Sequence, residues 1–223
     1  MDKDFYREFK EIIDLTKGYI RQEMGISEDF LKEAAEGAPL DPVRGLIKDC
    51  KKCSLWTSRT NIVLGAGNED ADLVIIGEAP GYDEDVAGEP FVGRAGKLLT
   101  KMLGAVEISR EEVYITNVVK CRPPQNRDPK EEEINSCSPY LSEQLKVIKP
   151  KLILTLGNFA TRTLLKTTQG ITHLRGKIFS YEGIPLLPTF HPSALLHNPN
   201  LKKYAWEDLK LLRLKVDRLK AEG

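Results

Sequence analysis

The sequence contains no apolar run near the roughly 20 residues that cross a bilayer. Met1-Asp2-Lys3-Asp4 has no basic region leading into an apolar stretch. Neither a membrane span nor a secretory leader is therefore expected, and the cytoplasm is the expected compartment. There is no excess of either charge, since 33 Lys and Arg balance 33 Asp and Glu. The basic footprint that usually marks a nucleic-acid binder is thus missing from the chain as a whole. Aromatic residues are scarce at 7%, and histidines number only 3. No stretch makes a Walker loop: Gly96-Lys97 is followed by Leu98, and Phe91 stands where the first glycine is needed. No nicotinamide or flavin fingerprint occurs, nor any internal repeat or low-complexity segment. What is present is a chain of 223 residues, 41% apolar and 30% charged, long enough to bury a core without disulfide staples.

The neutral total conceals an uneven distribution. Residues 1–49 carry 8 basic and 12 acidic side chains, whereas residues 50–223 carry 25 and 21. An acidic front of −4 thus masks a body of +4. The balance bears on the affinity and salt dependence of any nucleic-acid contact, not on whether one is made.

Residues 4–24 place Phe5, Phe9, Ile12, Ile13, Leu15 and Ile20 near a 3.6-residue period, which predicts an amphipathic helix. Ser27 is placed to cap a second helix over 28–36, ended by Gly37 and Pro39. Together they make an N-terminal helical extension, residues 1–44, ahead of a domain over 45–223. That domain alternates short apolar runs with helical segments. Strands are expected over 72–77, 113–117, 151–157 and 184–190, and helices over 94–104, 129–148, 158–166 and 201–221. Residues 175–183 read as a hairpin arm leading into the fourth strand. The alternation implies an α/β fold, a three-layer α/β/α domain around a mainly parallel sheet of about four strands. In such sheets the site forms where the strands end. This singles out Gly77 to Gly81, Asn117 with Lys120-Cys121-Arg122, Gly157-Asn158 and His191-Pro192-Ser193.

Cys50, Cys53, Cys121 and Cys137 are the only cysteines. Disulfides are disfavoured in a cytosolic chain, so a metal or cluster site is the leading explanation. Cys50 and Cys53 form a CxxC pair that can reach one centre, while fifteen residues separate Cys121 from Cys137. Four thiolates fit either a zinc site or a [4Fe-4S] cluster. Zinc ribbons normally use two CxxC knuckles, and the absence of the second favours the cluster. Its expected role is structural, ordering the basic stretch Lys120 to Arg127. Pro139 falls inside the helix that carries Cys137, so either that helix kinks or a new one starts there with Ser138 as its cap.

Three motifs occupy the strand ends. The first is Gly77-Glu78-Ala79-Pro80-Gly81, followed by Gly88-Glu89-Pro90-Phe91-Val92-Gly93-Arg94. The second is Thr116-Asn117-Val118-Val119-Lys120-Cys121-Arg122-Pro123-Pro124, and the third His191-Pro192-Ser193-Ala194-Leu195-Leu196. With the four cysteines they make roughly residues 45–215 resemble the family 4 uracil-DNA glycosylases, the iron–sulfur branch of that superfamily.

The resemblance implies a monofunctional hydrolysis of the N-glycosidic bond of uracil in single- or double-stranded DNA. The product would be an abasic site in base excision repair, the enzyme a monomer, and a sliding clamp a candidate partner. A duplex hides the bond, so the nucleotide must be flipped into a pocket. Phe91 would stack on the base, and Gly77, Ala79 and Gly81 would let the backbone approach it. Asn117 would read the edge, its carboxamide giving a donor to O4 and an acceptor to N3–H, a pattern that cytosine reverses. His191 would donate to O2, where negative charge develops. Glu78 would orient or activate water or stabilise the cationic sugar, and Asn126 would help to position substrate or water. Ser193, Leu195 and Leu196 would form a loop with an apolar wedge for the hole left by the flipped base. Arg94, Lys97, Lys120, Arg122 and Arg127 are candidate phosphate ligands.

Two positions depart from the family 1 enzymes: Ala79 stands where those carry an aspartate, and Gly81 lacks the aromatic that excludes thymine. A neighbouring branch with covalent chemistry carries a basic insertion ending in histidine after the Phe-containing loop. Here Arg94-Ala-Gly-Lys-Leu-Leu runs straight into a helix, which excludes that variant. The rival readings are a non-catalytic DNA-binding module with a zinc ion held by the four cysteines, and an iron–sulfur redox carrier.

Overall fold

The apolar runs form strands that are covered on both faces. The computed structural model describes residues 39–222, so the helices expected over 4–24 and 28–36 lie outside the described residues. The chain divides into two compact units, residues 1–42 and 43–223. Among the described residues six strands make one sheet: β1 (Ala66–Gly67), β2 (Leu73–Gly77), β3 (Tyr114–Asn117), β4 (Leu152–Leu156), β5 (Phe179–Tyr181) and β6 (Ile184–Thr189). Their order is β1-β3-β2-β4-β6-β5. Every residue of β2, β3 and β4 is buried, as expected of parallel strands with helices on either side.

The four central strands are those the apolar runs predict, and they pair in parallel. The other two are short antiparallel edges. β5 is the outer half of the expected hairpin arm. β1, two residues long between Gly65 and Asn68, carries no apolar alternation that a sequence could display. The sheet thus has six strands rather than about four.

Helices α1 (Asp41–Ile47), α2 (Tyr82–Ala87), α3 (Arg94–Gly104), α4 (Glu131–Ile148), α5 (Gly157–Leu165), α6 (Ile171–Leu174), α7 (Pro192–His197) and α8 (Lys202–Glu222) complete the unit. Among the described residues no helix is long and apolar enough to cross a membrane. Ile75, Ile115, Leu154 and Leu187 join Leu99 and Leu103 of α3, Leu195 of α7, and Leu209 and Leu212 of α8 in one core. On the other face, Gln144 of α4 reaches the β3 side chains Tyr114 and Thr116.

α4 runs unbroken through Pro139. Ser138 does not cap a new helix; its hydroxyl donates to the Ile134 carbonyl at 2.7 Å and so stays inside the existing turn. α2 and α7, six residues each, stand where the sequence reads as loop. Such helices are too short to show a 3.6-residue period.

α8 is fastened to the sheet by a buried acid. Asp208, 1% exposed, accepts from Arg175 Nε at 2.9 Å, from Arg175 Nη2, and from the Thr189 hydroxyl at 2.7 Å. Replacing it with alanine strands a guanidinium in a largely dry site. Asp208→Ala is expected to lower stability by about 3–5 kcal/mol, read as a lower urea midpoint with an unchanged slope.

Candidate active site

Strand register assembles the site. Gly77, the last residue of β2, lies opposite Asn117, the last of β3. Leu156 of β4 lies opposite Thr189 of β6. Glu78 and Gly157, which follow directly, and His191, two residues beyond β6, therefore leave the sheet at the carboxyl ends of its strands. They line a cleft of about 590 Å³ together with Ala79, Gly81, Phe91, Asn117, Asn126 and Ser193.

Gly77 lies beneath the cleft. A Cβ there would stand 2.4 Å from Asn117 Oδ1 and 2.6 Å from Phe91 Cζ, so only glycine leaves room for both side chains. Asn117 is 1% exposed, and its Oδ1 is buried with no hydrogen-bond partner among the described residues. A buried acceptor left unpaired costs free energy of about 1–3 kcal/mol, which a donor entering the cleft would recover.

Phe91 faces His191 at 5.6 Å between ring centroids, tilted by 37°. Its backbone is left-handed, with φ 55°, a conformation costing a non-glycine residue about 1–3 kcal/mol. Neighbouring hydrogen bonds hold it there. Arg110 Nη2 donates to the Pro90 carbonyl at 2.6 Å. Glu84 Oε1 accepts from the Val92 and Gly93 amides at 3.0 and 2.9 Å, while its Oε2 accepts from the Gly81 amide at 3.1 Å. One carboxylate thereby joins the Phe91 loop to the loop that carries Glu78.

The His191 tautomer follows from its neighbours. The Ser193 amide donates to Nδ1 at 3.2 Å, and the Ser193 hydroxyl lies 2.6 Å from the same nitrogen. Since Nδ1 accepts, the neutral ring carries its proton on Nε2. Burial pushes the imidazole down to about 4, so it remains a neutral donor at ordinary pH. Burial moves Glu78 the other way, up to about 7, helped by the negative charge of Asp128. Loss of hydration disfavours the charged form of both groups, which for an acid raises the pKa and for a base lowers it.

Asn126 closes a short turn, Pro124–Asn126, with Gln125 and Asn126 both left-handed at φ 56° and 54°. Its Oδ1 accepts from Arg122 Nε at 2.7 Å. The Arg122 guanidinium in turn lies 5.0 Å from the ring centroid of Tyr82.

Several expected roles shift. Ser193, Leu195 and Leu196 belong to α7 rather than to a loop, because His191 caps the helix and Pro192 starts it. Leu195 is 2% exposed and packs into the core, leaving Leu196, 38% exposed, as the wedge candidate. Lys120 is fully buried and so is no phosphate ligand. Arg127 is engaged by Glu133 through two hydrogen bonds of 2.8 and 2.6 Å, and these bonds hold the Glu133 carboxyl down at about 2. Arg94 and Lys97 remain exposed. Glu84, Arg110 and Asp128 were not singled out individually by the sequence. Asp128 directly follows Arg127 and Glu84 lies three residues after Gly81, whereas nothing in the sequence connects Arg110 to Pro90.

The four cysteines share one small cavity with Arg59, Val119 and Tyr140. Cys121 Sγ accepts from Arg59 Nη1 and Cys137 Sγ from the Lys120 amide, each at 3.3 Å. Ser54, beside Cys53, donates to Glu133 at 3.3 Å and ties the CxxC turn to the start of α4.

An α/β/α sheet whose strand ends carry these groups around one cleft is the architecture of a known superfamily. The profile described as "Uracil DNA glycosylase superfamily" matches residues 64–210. The chain is 48% identical over 183 residues to a type-4 uracil-DNA glycosylase of Sulfurisphaera tokodaii, covering 78% of this chain and 83% of that protein. It is 46% identical to a type-4 enzyme of Saccharolobus solfataricus, covering 78% and 85%. A third, from Archaeoglobus fulgidus, is also 46% identical, covering 77% and 90%. The chain belongs to the uracil DNA glycosylase superfamily and, within it, to the type-4 uracil-DNA glycosylases.

An NMR titration is expected to find the His191 ring neutral and protonated on Nε2 down to about pH 4. A ring that titrates near 6.5 would show that burial does not hold it neutral.

Proposed function

We propose that this chain hydrolyses the N-glycosidic bond of uracil in DNA, leaving an abasic site for base excision repair. The observation that carries this reading is the buried, unpartnered Oδ1 of Asn117 at the floor of a cleft bounded by Phe91 and His191. A flipped uracil stacks on Phe91 and donates N3–H to that oxygen, while the Asn117 amide donates to O4. Cytosine offers no proton at N3 and a donor in place of O4, so it would leave the site's polar groups unpaired.

His191 Nε2–H donates to O2 as the C1′–N1 bond breaks and uracil departs as an anion. A fixed neutral donor aimed at developing charge is an oxyanion-type device. Glu78, ionised above about pH 7, orients water and accepts a proton as its oxygen bonds to C1′. Ala79 supplies no carboxylate beside it. Asn126, held by Arg122, flanks the same space. Leu196 of α7 is the wedge for the vacated stack. Every group comes from residues 77–196, so one chain suffices for the reaction.

The cysteine set fits a [4Fe-4S] cluster better than one zinc ion. Zinc–sulfur bonds of about 2.3 Å draw thiolates close around a single atom. Among the described residues no three His, Cys, Asp or Glu are placed to hold one ion, although four cysteines line one cavity. A cluster interposes its own irons and sulfides between its ligands. When bound it would cross-link the CxxC turn, the loop after β3, and α4.

A labelled oligonucleotide containing uracil, incubated with the protein without added metal and then treated with alkali, tests the activity. Cleavage at uracil is expected; none beyond the thymine control would refute the reading. His191→Ala is expected to slow base release by about 10²–10³-fold with DNA binding little changed. Asn117→Asp is expected to weaken uracil removal and relax discrimination against cytosine. The rate is expected to rise with pH through about 7 as Glu78 ionises, and Glu78→Gln is expected to abolish that limb. Visible absorbance with about four irons per chain separates the cluster from a colourless zinc protein.

A further inference from the structure

We propose that Lys120 is a positioning residue for Asn117, and that through it α4, the helix bearing Cys137, is mechanically coupled to the reading of the base. This rests on the assignment of Asn117 as base reader.

Lys120 is fully buried. A buried ammonium loses its hydration at a cost of several kcal/mol, so its environment has to supply an acceptor for every proton. It does: Nζ donates to Thr116 Oγ1 at 2.6 Å, to the Asn117 carbonyl at 2.6 Å and to Gln144 Oε1 at 2.5 Å. None of the three is a carboxylate. The contact is therefore a three-point hydrogen-bond anchor rather than an ion pair, and one of its points is the main-chain carbonyl of the reader itself.

The rest of the network leaves these acceptors little freedom. Gln144 Nε2 donates to the Leu64 carbonyl at 2.9 Å and to the Tyr114 hydroxyl at 3.0 Å, which turns Oε1 toward the lysine. Thr116 Oγ1 also lies 2.7 Å from the Leu64 carbonyl. α4 grips residue 120 at both ends, since Cys137 Sγ accepts from its amide and Gln144, seven residues on and on the same helical face, accepts from its ammonium. A shift of α4 against β3 would thus be felt at the Asn117 peptide.

Asn117 needs such an anchor because its own Oδ1 has no partner among the described residues. Nothing at that oxygen fixes the direction of the carboxamide, which is left to the backbone. The two residues that follow bond to the neighbouring strand, Val118 to the Gly77 carbonyl and Val119 to the Glu78 carbonyl, each at 3.0 Å. The Asn117 carbonyl is left to Lys120.

A double-mutant cycle tests the coupling. Lys120→Met keeps the length of the side chain and removes its donors. Single-turnover uracil release is measured for wild type, Lys120→Met, Asn117→Ala and the double variant, with iron content and circular dichroism as controls. Lys120→Met is expected to slow release by about 10- to 100-fold in the wild-type background and by less than about threefold when Asn117 is already alanine. Its uracil-over-cytosine preference should fall as well. Equal losses in both backgrounds, or no loss in either, would overturn the positioning role. If Asn117→Ala alone left release unchanged, the reader assignment would fall and this proposal with it. Should Lys120→Met fail to fold, Gln144→Met removes one acceptor from the same ammonium. It is expected to slow release only while Asn117 is present, and additive behaviour there would overturn the proposal equally.

Discussion

Parallel pairing in register is the constraint on which the molecule depends. β2 and β3 end together at Gly77 and Asn117, and β4 and β6 end together at Leu156 and Thr189. Because the side chains of adjacent residues alternate across a sheet, a slip of one residue in the pairing of β3 with β2 would turn Asn117 away from the cleft. The fully buried strands resist such a slip, since both faces are already filled. Four short loops then inherit their positions from the sheet, and the active groups need no long excursion to meet.

Much of this was legible because it rests on local pattern. Continuous apolar runs located the four central strands, and the rule that parallel sheets place their sites at strand ends located Glu78, Asn117 and His191. The CxxC spacing, with two further cysteines, pointed to one centre, and all four do share a cavity. What stayed hidden depends on contacts distant in sequence. Arg110 reaches Pro90 across twenty residues without any motif. Lys120 reads as a surface cation beside Cys121 and Arg122, yet Gln144 on α4 turns it inward. Leu195 and Leu196 look equivalent in the chain, and only the helix that starts at Pro192 sends one into the core and the other to the surface.

Burial is used with opposite results on the two sides of the cleft. It keeps the His191 imidazole uncharged and brings the Glu78 carboxyl up to about 7. A single property of the site, its dryness, thus leaves the imidazole a neutral donor and makes the carboxylate a stronger base than an exposed one. The Phe91 loop is held by Glu84 and Arg110, so the ring is set in place without a ligand to order it.

The hydrogen bond from the Ser193 amide to His191 Nδ1 has a consequence for acid tolerance. That bond caps α7 and also fixes the tautomer. A proton on Nδ1 would remove both together, taking the acceptor from the helix start and the neutral state from the donor. Between about pH 6.5 and pH 4 the unfolded chain binds a proton that the folded chain refuses, so over that window acidification favours unfolding. At that imidazole a single protonation therefore removes both the helix cap and the neutral donor.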